Sequence, residues 1–495
     1  MTSVQSGLAT RTPIRLPADP ARVVNRLFVP GQEGFELQDS RAGAVLRRIL
    51  ALDDDDVTSS LNDVVARFED RHRDLVGTFR RHARELADRL NPADELAESR
   101  SLLLGAAFTS EYAIEGAALC NPSMVEHPDQ SGMNSGTLRF VMSVRGIGEG
   151  HLSSIGFRTG TVDASGTVSM DDMTAFASVG ATGAAVLSAA VFRSELARLD
   201  DAGEAADFVF DSLGSHFTRE ALEGRLGRLE TSLRTRGRGA ETIALIRGIA
   251  DRSYSMGFPS EIPLSERVLW PATEAESAGM EDARFVRFCD DAGSVTFYAT
   301  YTAYSGSAIT QQLLATKDFQ HFTSHPLVGR GAANKGLALF PRRINGRFVA
   351  MSRSDRESNT VTYSDDLSVW TDAHPCQQPV EAWEALQLGN CGSPIETDAG
   401  WLVLTHGVGP MRTYGIGAIL LDLDDPTKIL GRLRRPLLSP TQSERDGYVP
   451  NVVYSCGALV HGDTLVIPYG ISDAAIGIAT VALPELLDTL TGGGR

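Results

Sequence analysis

Between Asp63 and Leu90 the apolar residues recur as Phe68, Leu75, Phe79, Leu86 and Leu90, a seven-then-four spacing that places them on one face of a helix. Arginines and aspartates cover the other face. Asn91-Pro92 supplies a stop, and Pro92-Ala93-Asp94 opens a second helix that runs through Leu102-Leu103-Leu104. The first hundred residues therefore read as mainly helical. A second helical block runs from about Ala189 to Tyr254, where Leu196, Leu199, Phe208, Leu213, Leu222, Leu226, Leu229 and Leu233 recur among charged residues with few β-branched ones. An amphipathic helix must bury its stripe, so the two blocks are expected to pack together as one module beside a β-domain.

From Ile262 onward the period changes to short strands punctuated by glycine, aspartate and proline, as in Val295–Thr302, Phe348–Ser352 and Trp401–Thr405. This half is expected to be all-β. It holds a weak repeat: Thr316-Lys-Asp-Phe-Gln-His-Phe322 and Ser364-Asp-Asp-Leu-Ser-Val-Trp370 each follow two strands, with central aspartates 48 residues apart, and a degenerate copy lies at Leu421-Asp-Leu-Asp-Asp-Pro426. That period suits a four-stranded propeller blade. Leu119 to Val168 supplies another blade, split from the rest by the helical insertion. An antiparallel sandwich satisfies the same local pattern.

Composition narrows the function classes. At 42% hydrophobic and 22% charged residues the chain is of ordinary globular type. Its net charge of −17 sets a repulsive field against nucleic acid. The opening Met1 to Pro17 has no apolar run of signal-peptide length, and Val179 to Phe192 is too short to span a bilayer, so no membrane association and a cytoplasmic location are expected. Cysteines at 120, 289, 376, 391 and 456, odd in number and without a C-x-x-C pair, suit reduced buried thiols and no metal site.

Polar residues beside glycine at strand ends are the candidates for chemistry. They cluster at Asn121-Pro-Ser123, Glu281-Asp282-Ala-Arg284, Asn334-Lys335-Gly336, Ser352-Arg353, Thr405-His406-Gly407 and Tyr469-Gly-Ile-Ser-Asp473. Taken singly, each has a plain structural explanation: Asn-Pro is a common turn, Glu-Asp a solvated pair, and a lone histidine after a strand is more often structural. Together they combine a carboxylic acid with Lys, Arg and His. Such a set protonates a leaving oxygen with the acid while cations hold an anionic nucleophile against the opposite face of a sugar.

The same residues carry a family resemblance. Cys120-Asn121-Pro122-Ser123 resembles the N-P segment of glycoside hydrolase family 130, and Met280-Glu281-Asp282-Ala283-Arg284 its E-D-P-R motif, followed by the strand Phe297 to Ala303. Asn334-Lys335-Gly-Leu-Ala-Leu-Phe340-Pro341 resembles its N-K-D-x-x-L-F-P segment, Gly400 to Val408 its G-W-L-x-x-x-H-G-V, and Tyr469-Gly470 with Asp473 its Y-G-x-x-D. Order and spacing match from Asn121 to Asp473, which is more specific than any one motif. The resemblance implies a mainly β fold, a five-bladed β-propeller, with the helical module added. Its parts are expected at 1–116 (N-terminal helical region), 117–188 (first part of the propeller), 189–257 (helical insertion packing with the N-terminal helices) and 258–490 (remainder of the propeller).

The resemblance further implies an inverting β-mannoside phosphorylase, with inorganic phosphate as co-substrate, β-mannosides or manno-oligosaccharides as partners, and no organic cofactor. Asp282 is then the general acid, acting through the 3-hydroxyl of the bound mannose. Lys335, Arg353, His406 and Tyr414 hold phosphate. Asn121, Glu281, Arg284, Asn334 and Asp473 bind substrate. Three positions depart from the family pattern: Ala283 for the proline, Gly336 for the aspartate after N-K, and Ser352 for a histidine before the second arginine.

Two other readings stand beside this one. An inverting β-1,2-mannosidase of the same family would use carboxylates, with Glu149, Glu281 or Glu396 as the base, to activate water. A non-catalytic sugar-binding propeller would make Asp282 and Arg284 a salt bridge. The retained Lys335, Arg353 and His406, read as three cations, favour phosphorolysis, since without an anion they would repel one another. The helical module is expected to support a homo-oligomer.

Overall fold

A computed structural model describes residues 7–31, 40–86, 96–198, 204–233 and 239–492. Leu90, the Asn91-Pro92 stop, Ala93, Asp94 and Leu199 lie outside the described residues.

Among the described residues, most strands fall into five antiparallel groups of four, the first two of them joined within one twelve-stranded sheet. The first group comprises Ala118–Glu126, Leu138–Ile147, Ser153–Val162 and Val168–Met170. The second comprises Gly279–Cys289, Val295–Tyr304, Ile309–Thr316 and His321–Leu327, and the third Ala338–Leu339, Phe348–Ser352, Asn359–Ser364 and Ala373–Gln377. The fourth comprises Gln387–Asn390, Gly400–Val408, Tyr414–Leu421 and Ile429–Arg432. The fifth takes Val453–Tyr454, Thr464–Ile471 and Ala475–Ala482 from the end of the chain and closes with Ala9–Pro17 from its beginning. The expected mainly β fold is observed.

Each group packs on the next. Val141 and Phe157 of the first meet Phe285 and Phe297 of the second, and Phe288 of the second meets Phe348 and Trp370 of the third. Val349 and Val361 of the third meet Trp401 and Ile419 of the fourth, while Leu404 and Ile416 of the fourth meet Ile467 and Ala479 of the fifth. Leu119 and Phe140 of the first meet Val466 and Ile478 of the fifth, so the order returns to its start. Strands such as Gly400–Val408 are buried along their whole length, because both faces meet a neighbouring sheet. That explains continuous apolar runs where a one-faced strand would alternate.

The repeated turn is real in three dimensions. Thr316 Oγ1 accepts a hydrogen bond from the Phe319 amide at 2.8 Å, and Ser364 Oγ accepts the equivalent bond from Leu367 at 3.1 Å. Asp318 and Asp366 each accept two further amide bonds, from Gln320 and His321 and from Ser368 and Val369. Phe319 and Leu367 share the left-handed backbone that this turn requires, at φ 54° and 70°. In the degenerate copy, Asp422 accepts amide bonds from Asp424 and Asp425.

The helical expectations need correction in three places. The stretch read as one helix from Asp63 is divided into Asp54–Phe68 and Leu75–Glu85, because Asp74 caps the second by accepting the Gly77 amide at 2.8 Å. The next helix is Glu98–Ala107. The N-terminal residues are not all helical, since Ala9–Pro17 is the outer strand of the fifth sheet and Val23–Leu27 pairs with Thr109–Ala113. The half expected to be all-β ends in a helix, Leu483–Thr491.

Two compact units result, one comprising residues 19–116 with 174–178 and the other the rest. The inserted helices Ala189–Arg198, Glu204–Phe210, Arg219–Leu233 and Gly239–Ala250 belong to the second of these and close a core of their own around Phe192, Phe210 and Phe217. The N-terminal helices close separate cores around Leu104 and Phe79.

Phe319 is 1% exposed and packs against Phe157, Phe285, Phe297 and Phe322. Phe319→Ala is expected to cost about 3–5 kcal/mol through the cavity it leaves, read as a lower midpoint in thermal unfolding followed by near-ultraviolet circular dichroism.

Candidate functional site

The five groups offer their polar residues at two recurring places: around the start of the first strand and around the end of the second. Antiparallel pairing puts these on the same edge of each sheet. Asn121 and Asp282 lie in the first halves of first strands, and Lys335 lies three residues before one. Arg145 and His406 lie near the ends of second strands, while Arg353 and Asp473 lie just beyond them.

Both first-strand residues sit in irregularities of the ladder. Register shifts between Cys120 and Ser123 and between Glu281 and Arg284 free Asn121-Pro122 and Asp282-Ala283 from pairing. Asn121 and Asp282 are left-handed, at φ 49° and 56°, and Asp473 shares that conformation at 53°. Asn and Asp tolerate it better than other non-glycine residues, yet three instances in one cluster are the kind of local strain that active sites retain.

Asn121 Nδ2 donates to Asp282 Oδ1. Arg145 Nη1 lies 3.5 Å from the same oxygen, and Arg284 Nη2 lies 3.9 Å from Oδ2. Burial alone would raise the Asp282 pKa, but the positive Arg145, Arg284 and Lys335 with the Asn121 hydrogen bond outweigh it and hold the carboxyl below its ordinary range. Glu281 bridges two of these cations, accepting from Arg145 Nη2 at 2.8 Å and pairing with Lys335 Nζ. Lys335 Nζ also stands 5.9 Å from the Tyr304 ring centre.

On the other side, Arg353 Nη1 lies 3.2 Å from His406 Nε2, and His406 Nδ1 lies 3.1 Å from the Asn390 carbonyl. Burial, then the charges of Arg353 and Arg284, push the His406 pKa down to about 3. His406 is therefore neutral: Nδ1–H donates to Asn390, and Nε2 accepts from Arg353. This corrects the sequence reading of His406 as a third cation. A Cβ at Gly389 would fall 2.5 Å from His406 Cε1, so glycine there lets the imidazole lie against the neighbouring strand. Tyr414 stacks on His406 at 6.1 Å, and Tyr454 meets it edge-on at 4.9 Å.

Asn334 Nδ2 donates to the Arg353 carbonyl at 3.0 Å, which makes it a brace for Arg353 in this state. Gly336, where the family pattern has aspartate, is left-handed at φ 97°, and its carbonyl accepts from Asn390 Nδ2 at 2.6 Å. Asp473 carries a pKa raised to about 6: burial raises it most, Arg145 opposes, and the negative Asp282 adds to the rise. Of the candidate bases, Glu281 lies in the cluster, and Glu149 and Glu396 lie outside it. Glu149 is exposed on the turn with His151, which bonds Tyr448, and Glu396 is paired at 2.6 Å with Arg342 near the opposite end of strand Gly400–Val408 from His406.

Two residues of the cluster were not singled out from sequence. Arg145 is the one charged residue inside the run Phe140 to Ile147, and a long cation within a strand buried on both faces was the available signal. Tyr454, whose hydroxyl accepts from Arg284 Nη2 at 2.8 Å, lay in a segment without a motif. Among the described residues, the Nε atoms of Arg145, Arg284 and Arg353 are buried without a hydrogen-bond partner. Also among them, no group of three His, Cys, Asp or Glu is arranged to hold a metal ion, all five cysteines are free, and no helix is long and apolar enough to cross a membrane.

Residues 246–492 match the model of the family described as beta-1,4-mannooligosaccharide phosphorylase. A 1,2-beta-oligomannan phosphorylase of Thermoanaerobacter sp. (strain X514) is 33% identical over 227 residues, 45% of this chain and 75% of the relative. A beta-1,2-mannobiose phosphorylase of Listeria innocua is 32% identical over 229 residues, 45% of this chain and 63% of the relative. A beta-1,4-mannooligosaccharide phosphorylase of Ruminococcus albus is 35% identical over 167 residues, 31% of this chain and 50% of the relative.

The raised pKa of Asp473 has a stability consequence. Its folded value of about 6 lies above the ordinary 3.8, so the folded state binds this proton more tightly. The stabilisation is complete below the ordinary value and is lost as pH rises through about 6. Asp473→Asn removes that dependence. The melting temperature of the variant relative to the parent is expected to increase between pH 4 and pH 7, a comparison that scanning calorimetry makes directly.

Proposed function

The chain belongs to glycoside hydrolase family 130, and on that premise we propose that it is an inverting β-mannoside phosphorylase on a five-bladed β-propeller. The propeller reading follows from the five four-stranded groups and the five cores between successive groups. The observation that carries the reaction is the charge balance of the cluster. Arg145, Arg284, Lys335 and Arg353 face Glu281, Asp282 and an Asp473 whose ionisation is opposed by burial. That leaves positive charge in excess, with three guanidinium Nε–H groups unsatisfied. A phosphate supplies both the missing charge and the acceptor oxygens.

In this reading Asn121 and Asp473 bind the mannose whose bond is cleaved, and Arg353 and Lys335 hold phosphate, with Tyr414 beside them. Neutral His406 aims Arg353, its Nε2 accepting from the guanidinium. Asp282 is ionised at rest. A bound phosphate anion offsets the cations that keep it so, and burial then favours the protonated carboxyl. Asp282 passes its proton through the mannose 3-hydroxyl to the glycosidic oxygen. A phosphate oxygen bonds to C1 from the opposite face as the C1–O bond to the acceptor breaks, giving α-mannose 1-phosphate and a free acceptor hydroxyl.

Hydrolysis is the weaker reading, because Glu396 is engaged by Arg342, Glu149 stands on an exposed turn, and Glu281 is held between two cations. Incubation with β-1,2- and β-1,4-mannobiose, with and without inorganic phosphate, separates the two. Mannose 1-phosphate is expected only when phosphate is present, and Asp282→Asn is expected to lower kcat by about a hundredfold or more. Free mannose formed at the same rate without phosphate would make the protein a mannosidase. Arg353→Gln is expected to raise KM for phosphate about tenfold or more while changing KM for mannobiose little; steady-state kinetics with each substrate varied in turn measures both.

A further inference from the structure

The strand Ala9–Pro17 does more than cover the edge of the fifth sheet. Arg11 on this strand reaches into the sheet, where Nε donates to Glu444 Oε1 at 2.9 Å and Nη2 to Oε2 at 2.8 Å. Nη2 also donates to the Ser439 carbonyl at 2.8 Å. Glu444 is buried and accepts from the Tyr469 hydroxyl at 2.8 Å and from the Thr441 amide at 2.9 Å, so its side chain sets the turn Gln442–Glu444. The main-chain carbonyl of the same residue accepts from Ser472 Oγ at 2.6 Å. Ser472 is held twice more, its amide donating to Val452 at 2.8 Å and its carbonyl accepting from Val449 at 3.0 Å. Both Ser472 and Asp473 are left-handed, at φ 47° and 53°. Two consecutive non-glycine residues in that region persist only where their surroundings over-determine them.

We propose that Arg11 is a positioning residue for the donor sugar: through Glu444 and Ser472 it holds the left-handed pair that presents Asp473. This rests on the reading of Asp473 as a mannose ligand. The strand does not need the Arg11 side chain to stay in the sheet, since it pairs with Ala475–Ala482 through its backbone at six positions. Its guanidinium is committed to the turn through Glu444 and the Ser439 carbonyl. Lysine cannot replace it, because one ammonium cannot engage both Glu444 oxygens and the Ser439 carbonyl in the same fork.

The test uses the full chain and compares Arg11→Lys, Ser472→Ala, Asp473→Asn and the Arg11→Lys/Asp473→Asn double variant. Ser472→Ala removes one hydroxyl and leaves the strand and the buried ion pair intact, so it reports even if the Arg11 variant folds poorly. Arg11→Lys and Ser472→Ala are each expected to raise KM for the mannoside about fivefold, with kcat and KM for phosphate within about twofold of the parent. Arg11→Lys is expected to add nothing further once Asp473 is Asn, since residues acting as one unit are not additive. The proposal is overturned if both single variants melt cooperatively and keep the parental mannoside KM while Asp473→Asn raises it. It is also overturned if the Arg11→Lys factor persists in the double variant, or if KM for phosphate rises in step. An unchanged mannoside KM in Asp473→Asn would instead remove the mannose reading of Asp473, and this proposal with it.

Discussion

A buried carboxylate has to be held by something, and at Asp282 the holding groups come from three separate stretches of chain. Asn121 and Arg145 belong to the first group of strands, Arg284 to the second, and Lys335 lies just before the third. Two charges taken out of water cost several kcal/mol each, and their attraction offsets this only when the remaining hydrogen-bonding capacity is also met. The network meets it incompletely on the cationic side, where three buried Nε–H groups lack partners.

The same network explains why the backbone bends where it does. A regular ladder would point alternate side chains of strands Ala118–Glu126 and Gly279–Cys289 into the cores between sheets, which are apolar. The bulges at Asn121 and Asp282 turn one polar side chain in each strand out of that alternation. Left-handed φ values are the local cost. They are tolerated because Asn and Asp adopt them with less strain than other residues and because the cores on either side fix the rest of each strand.

Electrostatics divides the polar residues by task. Cations at Arg145, Arg284 and Lys335 depress the Asp282 pKa, burial raises that of Asp473, and burial with two neighbouring arginines keeps His406 neutral. Two carboxyls in one cluster are thus pushed apart in acidity, an arrangement that separates a charged group from a hydrogen-bonding one. Asp473 in turn depends on a turn braced by Glu444, and Glu444 on an arginine from the far end of the chain. Closing the fifth group with that strand places the sheet edge and the Arg11 contact to Glu444 in the same nine residues.

Much of this was legible in the sequence. The strands Phe348–Ser352 and Gly400–Val408, the blade-sized repeat at Asp318 and Asp366, and the order of motifs from Asn121 to Asp473 are local patterns, set by side-chain period and turn chemistry within a few residues. Local patterns also misled, since one apolar stripe from Phe68 to Leu86 is continuous in spacing yet broken at Asp74 by a cap. What the tertiary structure alone decided is which charges meet. Arg145 and Asp282 are 137 residues apart, and Arg11 and Glu444 are 433 apart, so no periodicity records their contact. His406 reads as a cation by residue type and is neutral in place, because its protonation is set by burial and by the guanidiniums that folding brings beside it. Residue types and spacing determine which elements form and which groups are available; the distances between sheets determine their charge and their partners.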